Sequence, residues 1–129
     1  MWSGIEMQPL PWTPELERVR LSVTRATKRR FNSVLLNYYR DGNDTVGWHA
    51  DNEEGLGLQP FIASISLGAE RDFQLRRIDD PKGSKLTVPL PSGSLLVMGG
   101  ETQTNWHHAV PRRKRVKTPR VNLTFRMFE

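Results

Sequence analysis

The sequence predicts a mainly β domain, a β-sandwich or a jelly roll, with one helix in front of the strands. A helical pattern comes first, and from residue 31 onward apolar residues recur at every second position in short runs. Polar turns rich in Gly, Pro, Asn and Asp separate these runs, which is typical of antiparallel sheets. The length of 129 residues suits one core, so residues 1–129 are taken as a single domain.

The helix is predicted to begin at Thr13. Threonine is a favoured cap, and Pro14 suits the first helical position. Leu16, Val19 and Val23 follow at helical spacing, so the helix is expected to run to about residue 26. Its apolar stripe predicts that it braces one face of a sheet.

Eight strands are predicted after the helix. Each is a run of β-favouring residues that ends in turn residues. The predicted strands cover residues 33–39, 46–51, 61–67, 72–76, 85–90, 94–98, 104–110 and 120–128.

Composition excludes several classes of protein. The chain has no Cys, which removes disulfides, thiolate ligands and Cys nucleophiles, and it fits a reducing compartment. No run approaches the roughly 18 apolar residues of a membrane span, and no signal peptide opens the chain. We therefore expect an intracellular protein, cytoplasmic or nuclear, that does not enter a membrane. A monomer is also expected, although none of these features determines the oligomeric state.

The formal net charge of +5 is clustered at residues 28–30, at residues 76–77 and at residues 112–117. A basic surface of this kind favours a polyanion, most simply nucleic acid. Arg112 and Arg113 are candidate phosphate contacts, and Arg71 and Arg76 are weaker candidates. The alternative is that these charges are solvated loop residues.

His49 and Asp51 lie two positions apart. On an extended segment both side chains leave the same face, so an imidazole and a carboxylate point into one space. A second His would complete the 2-His-1-carboxylate triad of a first-row metal. Either His107 or His108 is able to supply it, on a distant strand that returns to His49.

The last predicted strand alternates between a polar and an apolar face. Two Arg on one strand face are costly if they turn inward without an anion, and a dicarboxylate would satisfy them because a guanidinium matches a carboxylate bidentately. Asn37 and Tyr39 share one face of another strand and are placed to add hydrogen bonds. The polar face of the last strand carries Arg120, Asn122, Thr124 and Arg126.

At these residues the sequence resembles the AlkB family of Fe(II)- and 2-oxoglutarate-dependent dioxygenases, in particular its nucleic-acid repair branch. The resemblance runs from about residue 2 to the C-terminus. Its most specific parts are the final PRVNLTFR together with the His-x-Asp and Trp-x-His patterns. The matching stretches are FNSVLLNYY followed by DG, HAD, IASISLGAERDFQLR, PSGSLLVM, and NWHHAVPRR.

The resemblance implies a double-stranded β-helix, that is, a jelly roll. It implies Fe(II) bound by His49, Asp51 and His108, since His108 follows Trp106 in the family spacing. It also implies O₂ as a cosubstrate and 2-oxoglutarate, with Arg126 expected at the distal carboxylate. The implied 2-oxoglutarate contacts are Asn37, Tyr39, Arg120, Asn122, Thr124 and Arg126.

The implied reaction is oxidative demethylation of alkylated bases in DNA or RNA, which couples 2-oxoglutarate decarboxylation to N-methyl hydroxylation and formaldehyde release. The base must be flipped out or presented single-stranded. Trp2 matches the family's aromatic residue beside the base, and Asn52 and Glu53 would contact its edge. Family members carry a longer N-terminal segment, part of a nucleotide-recognition lid, so the first half of this lid is predicted to be missing before Trp2.

Two other functions fit parts of the sequence. The first is the same chemistry directed at a protein or a small molecule, although the basic clusters and Glu53 argue against this. A non-catalytic nucleic-acid-binding β-domain is the reading from another class. A binding domain of that kind would need neither the metal-ligand candidates nor the paired arginines on the last strand.

Overall fold

The computed structural model describes residues 5–6 and 12–129. Within these residues the chain forms nine strands and two helices, and neither helix is both long and apolar enough to cross a membrane. The mainly β prediction with a leading helix is confirmed. The elements are β1 (Ile5–Glu6), α1 (Pro14–Thr27), β2 (Ser33–Tyr39), β3 (Val46–His49), β4 (Ile62–Gly68), β5 (Arg71–Arg77), β6 (Leu86–Leu90), β7 (Leu95–Met98), α2 (Thr102–Asn105), β8 (Trp106–Val110) and β9 (Arg120–Arg126).

The strands form two antiparallel sheets. The larger sheet has the order β1-β2-β9-β4-β7, and the smaller has the order β3-β8-β5-β6. β9 therefore lies in the middle of the larger sheet, paired with β2 on one side and β4 on the other. Apolar side chains from both sheets meet between them, as in a jelly roll. This inner core contains Tyr39, Ile62, Phe73, Leu90, Met98 and Val110.

The helix α1 braces the outer face of the larger sheet. The Thr13 hydroxyl caps its first turn by accepting the Leu16 N–H at 3.2 Å, as the sequence predicts. Lys28 ends the helix in the left-handed conformation, with φ of 62°. The helix side chains pack on apolar residues of β2, β4 and β9, which make a second core outside the sheet. This outer core contains Val23, Phe31, Val34, Ala63, Leu123 and Phe125.

Five of the predicted strands are shorter than expected, and β3, β8 and β9 are each shorter by two residues. β3 ends at His49, where the ladder with β8 closes on the His49–His108 pair, so Asp51 lies beyond the strand. Gln103 accepts the Asp51 backbone N–H at 2.7 Å in place of a neighbouring strand. Residues 104–105 belong to the short helix α2, where the sequence predicts the start of a strand.

Arg71 is a structural residue, so its assignment as a phosphate contact is wrong. Its side chain is 2% exposed. It donates hydrogen bonds to the carbonyls of Asp41 at 3.1 Å, Asp44 at 2.9 Å and Pro111 at 2.8 Å. The guanidinium thereby ties the turn before β3 to the segment that follows β8. In the same turn, hydrogen bonds from Arg40 lower the pKa of Asp44 to about 2.

Candidate metal and cosubstrate site

His49, Asp51 and His108 meet at one end of the space between the sheets. The potential ligand atoms of the three side chains all lie within 4.8 Å of one another. Asp51 is 3.8 Å from Nε2 of His49 through Oδ1, and 3.8 Å from Nε2 of His108 through Oδ2. The structure brings in His108 and not His107, because neighbouring residues of a strand point to opposite faces.

Different contacts orient the two imidazoles. The Nδ1 atom of His49 is 2.7 Å from the Gly47 carbonyl, a bond that leaves Nε2 free for a metal. The ring of His108 stacks on Phe73 with centroids 5.2 Å apart. Burial, and then the charge of His49, lowers the pKa of His108 to about 4. His108 is therefore neutral near pH 7, which is the form that binds a metal.

This donor set fits Fe(II). Two imidazole nitrogens and one carboxylate on one side of an ion match the 2-His-1-carboxylate triad of non-haem iron oxygenases, which keeps positions open for substrates. Asp51 is buried, and Nη2 of Arg126 lies 3.5 Å from its Oδ1, closer than either imidazole nitrogen.

The predicted cosubstrate residues line the same cavity as the triad. They come from the inward faces of β2 and β9, which pair directly, with Asn37 opposite Asn122 and Tyr39 opposite Arg120. The cavity therefore joins a metal end to a polar and cationic end. Its lining includes His49, Asp51, His108, Asn37, Tyr39, Arg120, Asn122, Thr124 and Arg126.

Arg120 has the most unusual environment in the cavity. It is 1% exposed, and its guanidinium lies 4.8 Å from the centre of the Tyr39 ring. Its Nη2 donates to the Ser66 hydroxyl at 2.8 Å, whereas Nε and Nη1 have no hydrogen-bond partner among the described residues. Burial lowers the pKa of Arg120 and raises that of Tyr39. A buried cation with free donors is a binding element for an anion.

Two serines of β4 were missed by the sequence analysis. Ser64 lines the cavity and bonds the Asn122 amide, at 2.6 Å to Oδ1 and 2.9 Å to Nδ2. Ser66 holds Arg120. The alternation of this strand carried the signal, since both serines share the face opposite the one that carries Ala63. Gln103, by contrast, gave no periodic signal because it lies in a four-residue helix.

Four of the predicted substrate contacts, Asn52, Glu53, Arg112 and Arg113, do not line the cavity. Asn52 and Glu53 are exposed in the loop after Asp51. Arg112 is exposed, whereas Arg113 forms an ion pair with Asp72. Trp2 lies outside the described residues.

The jelly roll and the inward-facing His-Asp-His group together are typical of non-haem Fe(II) oxygenases. The model of the 2OG-Fe(II) oxygenase superfamily matches residues 1–126, and the chain belongs to this family. The AlkB-like resemblance is confirmed by curated relatives. The human DNA oxidative demethylase ALKBH2 is 47% identical over 131 residues, covering 97% of this chain and 50% of that protein.

A second relative is the mouse alpha-ketoglutarate-dependent dioxygenase alkB homolog 3, which is 43% identical over 133 residues, or 97% of this chain and 46% of that protein. The chain thus spans about half the length of the curated relatives it matches. A solved structure described as "The structure of OsALKBH1" has a TM-score of 0.70 at 23% identity, covering 91% of this chain and 65% of that chain. This match supports the jelly-roll fold.

Proposed function

We propose that this chain is the catalytic domain of an enzyme that removes alkyl groups from DNA bases by Fe(II)- and 2-oxoglutarate-dependent oxidation, with RNA as a second substrate. The main support for this proposal is that one cavity is lined by both the His-Asp-His group and the buried Arg120. The relatives named as DNA oxidative demethylases and as alkB homologues support the choice of substrate. We infer that the enzyme works as a monomer inside the cell, where its substrate is.

His49, Asp51 and His108 would hold the iron. Bound iron, 2-oxoglutarate and O₂ together supply the oxidising chemistry, which hydroxylates the N-alkyl carbon. The protein's residues position the reactants. Arg126 lies beside Asp51, and Asn122 and Ser64 fix each other between the two ends of the cavity.

We assign the distal carboxylate of 2-oxoglutarate to Arg120 in place of Arg126, the residue that the family resemblance suggested. Three observations support this. Arg120 is the arginine with two free N–H groups at the end remote from Asp51 along β9. Its guanidinium lies 4.8 Å from the ring of Tyr39, which lines the same cavity. Arg126 lies near the metal ligands, at 3.5 Å from Asp51.

We propose that Trp2 and the loop after Asp51 contact the substrate base. A base in a duplex cannot reach an enclosed metal, so it must be flipped out or presented single-stranded. Asn52 and Glu53 are exposed on the loop that leaves the metal site, where they are placed to meet the edge of a presented base. Trp2 is proposed to stack on it.

The direct test is formaldehyde release from methylated oligonucleotides. Purified protein with Fe(II) and 2-oxoglutarate is incubated with single- and double-stranded DNA and RNA that carry N-methylated bases. We expect formaldehyde and succinate in equal amounts, dependent on the methylated base. Succinate formation that is stimulated by peptides or small molecules, but not by methylated nucleic acid, would contradict the proposed substrate.

The basic segment after β8 is proposed to contact phosphates. Replacing exposed Arg112, Lys114 and Arg115 with Gln, and keeping Arg113 for its ion pair with Asp72, is expected to weaken oligonucleotide binding. The slope of log affinity against log salt should become shallower by about 2 to 3 units.

Fluorescence anisotropy across a salt series measures this slope. The matched control replaces exposed Arg18, Arg25 and Lys28 of the helix region with Gln, which removes the same charge elsewhere. If the slope of log affinity against log salt is the same in the two triple variants, the segment after β8 does not contact phosphates and its charges are solvated loop residues.

A further inference from the structure

Gln103 is a buried polar side chain that the proposed chemistry does not use. It belongs to α2 and is 5% exposed. Its Oε1 accepts the backbone N–H of Asp51 at 2.7 Å, across 52 positions of sequence. Buried polar side chains are retained where they satisfy another buried group, so the role of Gln103 depends on what the Asp51 N–H needs.

The backbone of Asp51 has lost its strand partner. β3 ends two residues earlier, at His49, so no ladder hydrogen bond reaches the Asp51 N–H. Asp51 itself is only 9% exposed, so bulk water is a poor replacement as the hydrogen-bond acceptor for its backbone N–H. Gln103 is therefore the group that fixes the peptide from which the carboxylate projects.

The orientation of the Gln103 amide is determined by its two neighbours. A backbone N–H only donates, which places Oε1 toward Asp51. The other end, Nε2, then donates to Met98 Sδ at 3.4 Å, and a thioether only accepts. Both ends of the amide are matched, and Met98 is buried in the inner core, so the amide is held in a single orientation.

The position of Gln103 in the chain connects the two parts of the triad. α2 ends directly where β8 begins, and β8 carries His108. The Gln103–Asp51 hydrogen bond thus links the loop that carries the carboxylate to the segment that leads into β8, the strand of His108. Without it, His49 and His108 would remain joined by their ladder pair, while Asp51 would have a free loop backbone.

We propose that Gln103 is a positioning residue that holds the Asp51 carboxylate in the geometry needed for the metal. This inference rests on the proposed metal site. Removing the acceptor with Gln103→Leu is expected to lower divalent-metal affinity about 10- to 100-fold, the range for groups that orient ligands. Gln103→Glu keeps an acceptor oxygen and should restore affinity to within about threefold of wild type.

The test uses cobalt(II) as the probe, with binding followed by its visible absorption, and amide hydrogen exchange of Asp51 in the metal-free protein. In Gln103→Leu the amide hydrogen of Asp51 should exchange faster than in wild type, whereas the exchange rates of most β-strand amides should stay the same. Gln74→Leu is the matched control, because Gln74 bonds Thr87 of β6 on the face of the smaller sheet opposite to the one that Phe73 turns to the cavity. Circular dichroism checks that the variants keep the fold.

Four outcomes would overturn the role of Gln103. They are wild-type cobalt affinity in Gln103→Leu, an unchanged Asp51 amide, an equal loss in Gln103→Glu, and loss of the whole fold in both Gln103→Leu and Gln103→Met. The last outcome would make Gln103 a general core residue. Wild-type protein that binds no cobalt would instead contradict the metal site itself, so the two failures are distinguishable.

Discussion

Asp51→Ala is expected to abolish 2-oxoglutarate turnover, with succinate production falling by more than about 100-fold, the upper range for changes to groups that only support a ligand. Asp51 is the carboxylate that approaches both imidazoles, at 3.8 Å from each. Its removal leaves two nitrogen ligands and places Arg126 beside the vacant position without its anionic neighbour. Both changes oppose binding of a cation.

Succinate production measures the loss, and oligonucleotide binding should persist because the exposed basic segment is untouched. Asp79→Ala is the matched control, since Asp79 is an exposed carboxylate paired with Arg77. Full turnover in Asp51→Ala would contradict the metal assignment. Binding of nucleic acid by a wild-type protein that never consumes 2-oxoglutarate would favour the non-catalytic alternative.

Arg120→Met is expected to raise the KM for 2-oxoglutarate by at least about 30-fold. Loss of one partner of a buried charge pair costs about 2–5 kcal/mol, and each 1.4 kcal/mol is about tenfold. The same change should leave the melting temperature of the ligand-free protein unchanged or raise it. Arg120 is a buried cation with two free N–H groups, and a second buried cation, Arg71, lies 5.6 Å from the same Tyr39 ring.

Substrate titrations and thermal shifts with added 2-oxoglutarate measure these two effects. Arg25→Met, on the exposed side of α1, is the control. Arg126→Met separates the two arginines, because it removes a positive charge 3.5 Å from Asp51 and should strengthen cobalt binding, whereas Arg120→Met should leave cobalt binding unchanged. An unchanged 2-oxoglutarate titration in Arg120→Met would remove Arg120 from the distal carboxylate.

The sequence predicts those features that follow from strand periodicity. Alternation along residues 120–126 places Arg120 and Arg126 on one face, and the structure turns that face into the cavity. The same logic fails where the period is broken. Asp51 leaves the strand, and its backbone partner Gln103 comes from a helix too short to show a pattern.

Charge was the other source of error. In the sequence Arg71 cannot be distinguished from the arginines of the basic clusters, because the same residue type either binds buried carbonyls or contacts a phosphate. Only the three-dimensional approach of Asp41, Asp44 and Pro111 distinguishes the two roles. The choice between His107 and His108 likewise needed the face of β8, which the composition does not supply.

The central pairing of the larger sheet has a consequence for folding kinetics. β2 and β9 come from distant parts of the sequence, and just beyond their ends the Asn32 amide and the Phe128 backbone exchange two hydrogen bonds of 2.8 Å across 96 positions. Closing so long a loop costs chain entropy before the contacts between the two strands can stabilise the fold, so topologies of this kind fold slowly. A ribosome-bound chain that lacks β9 also lacks Arg120 and Arg126, so the proposed contacts to the cosubstrate form only after synthesis has passed that strand.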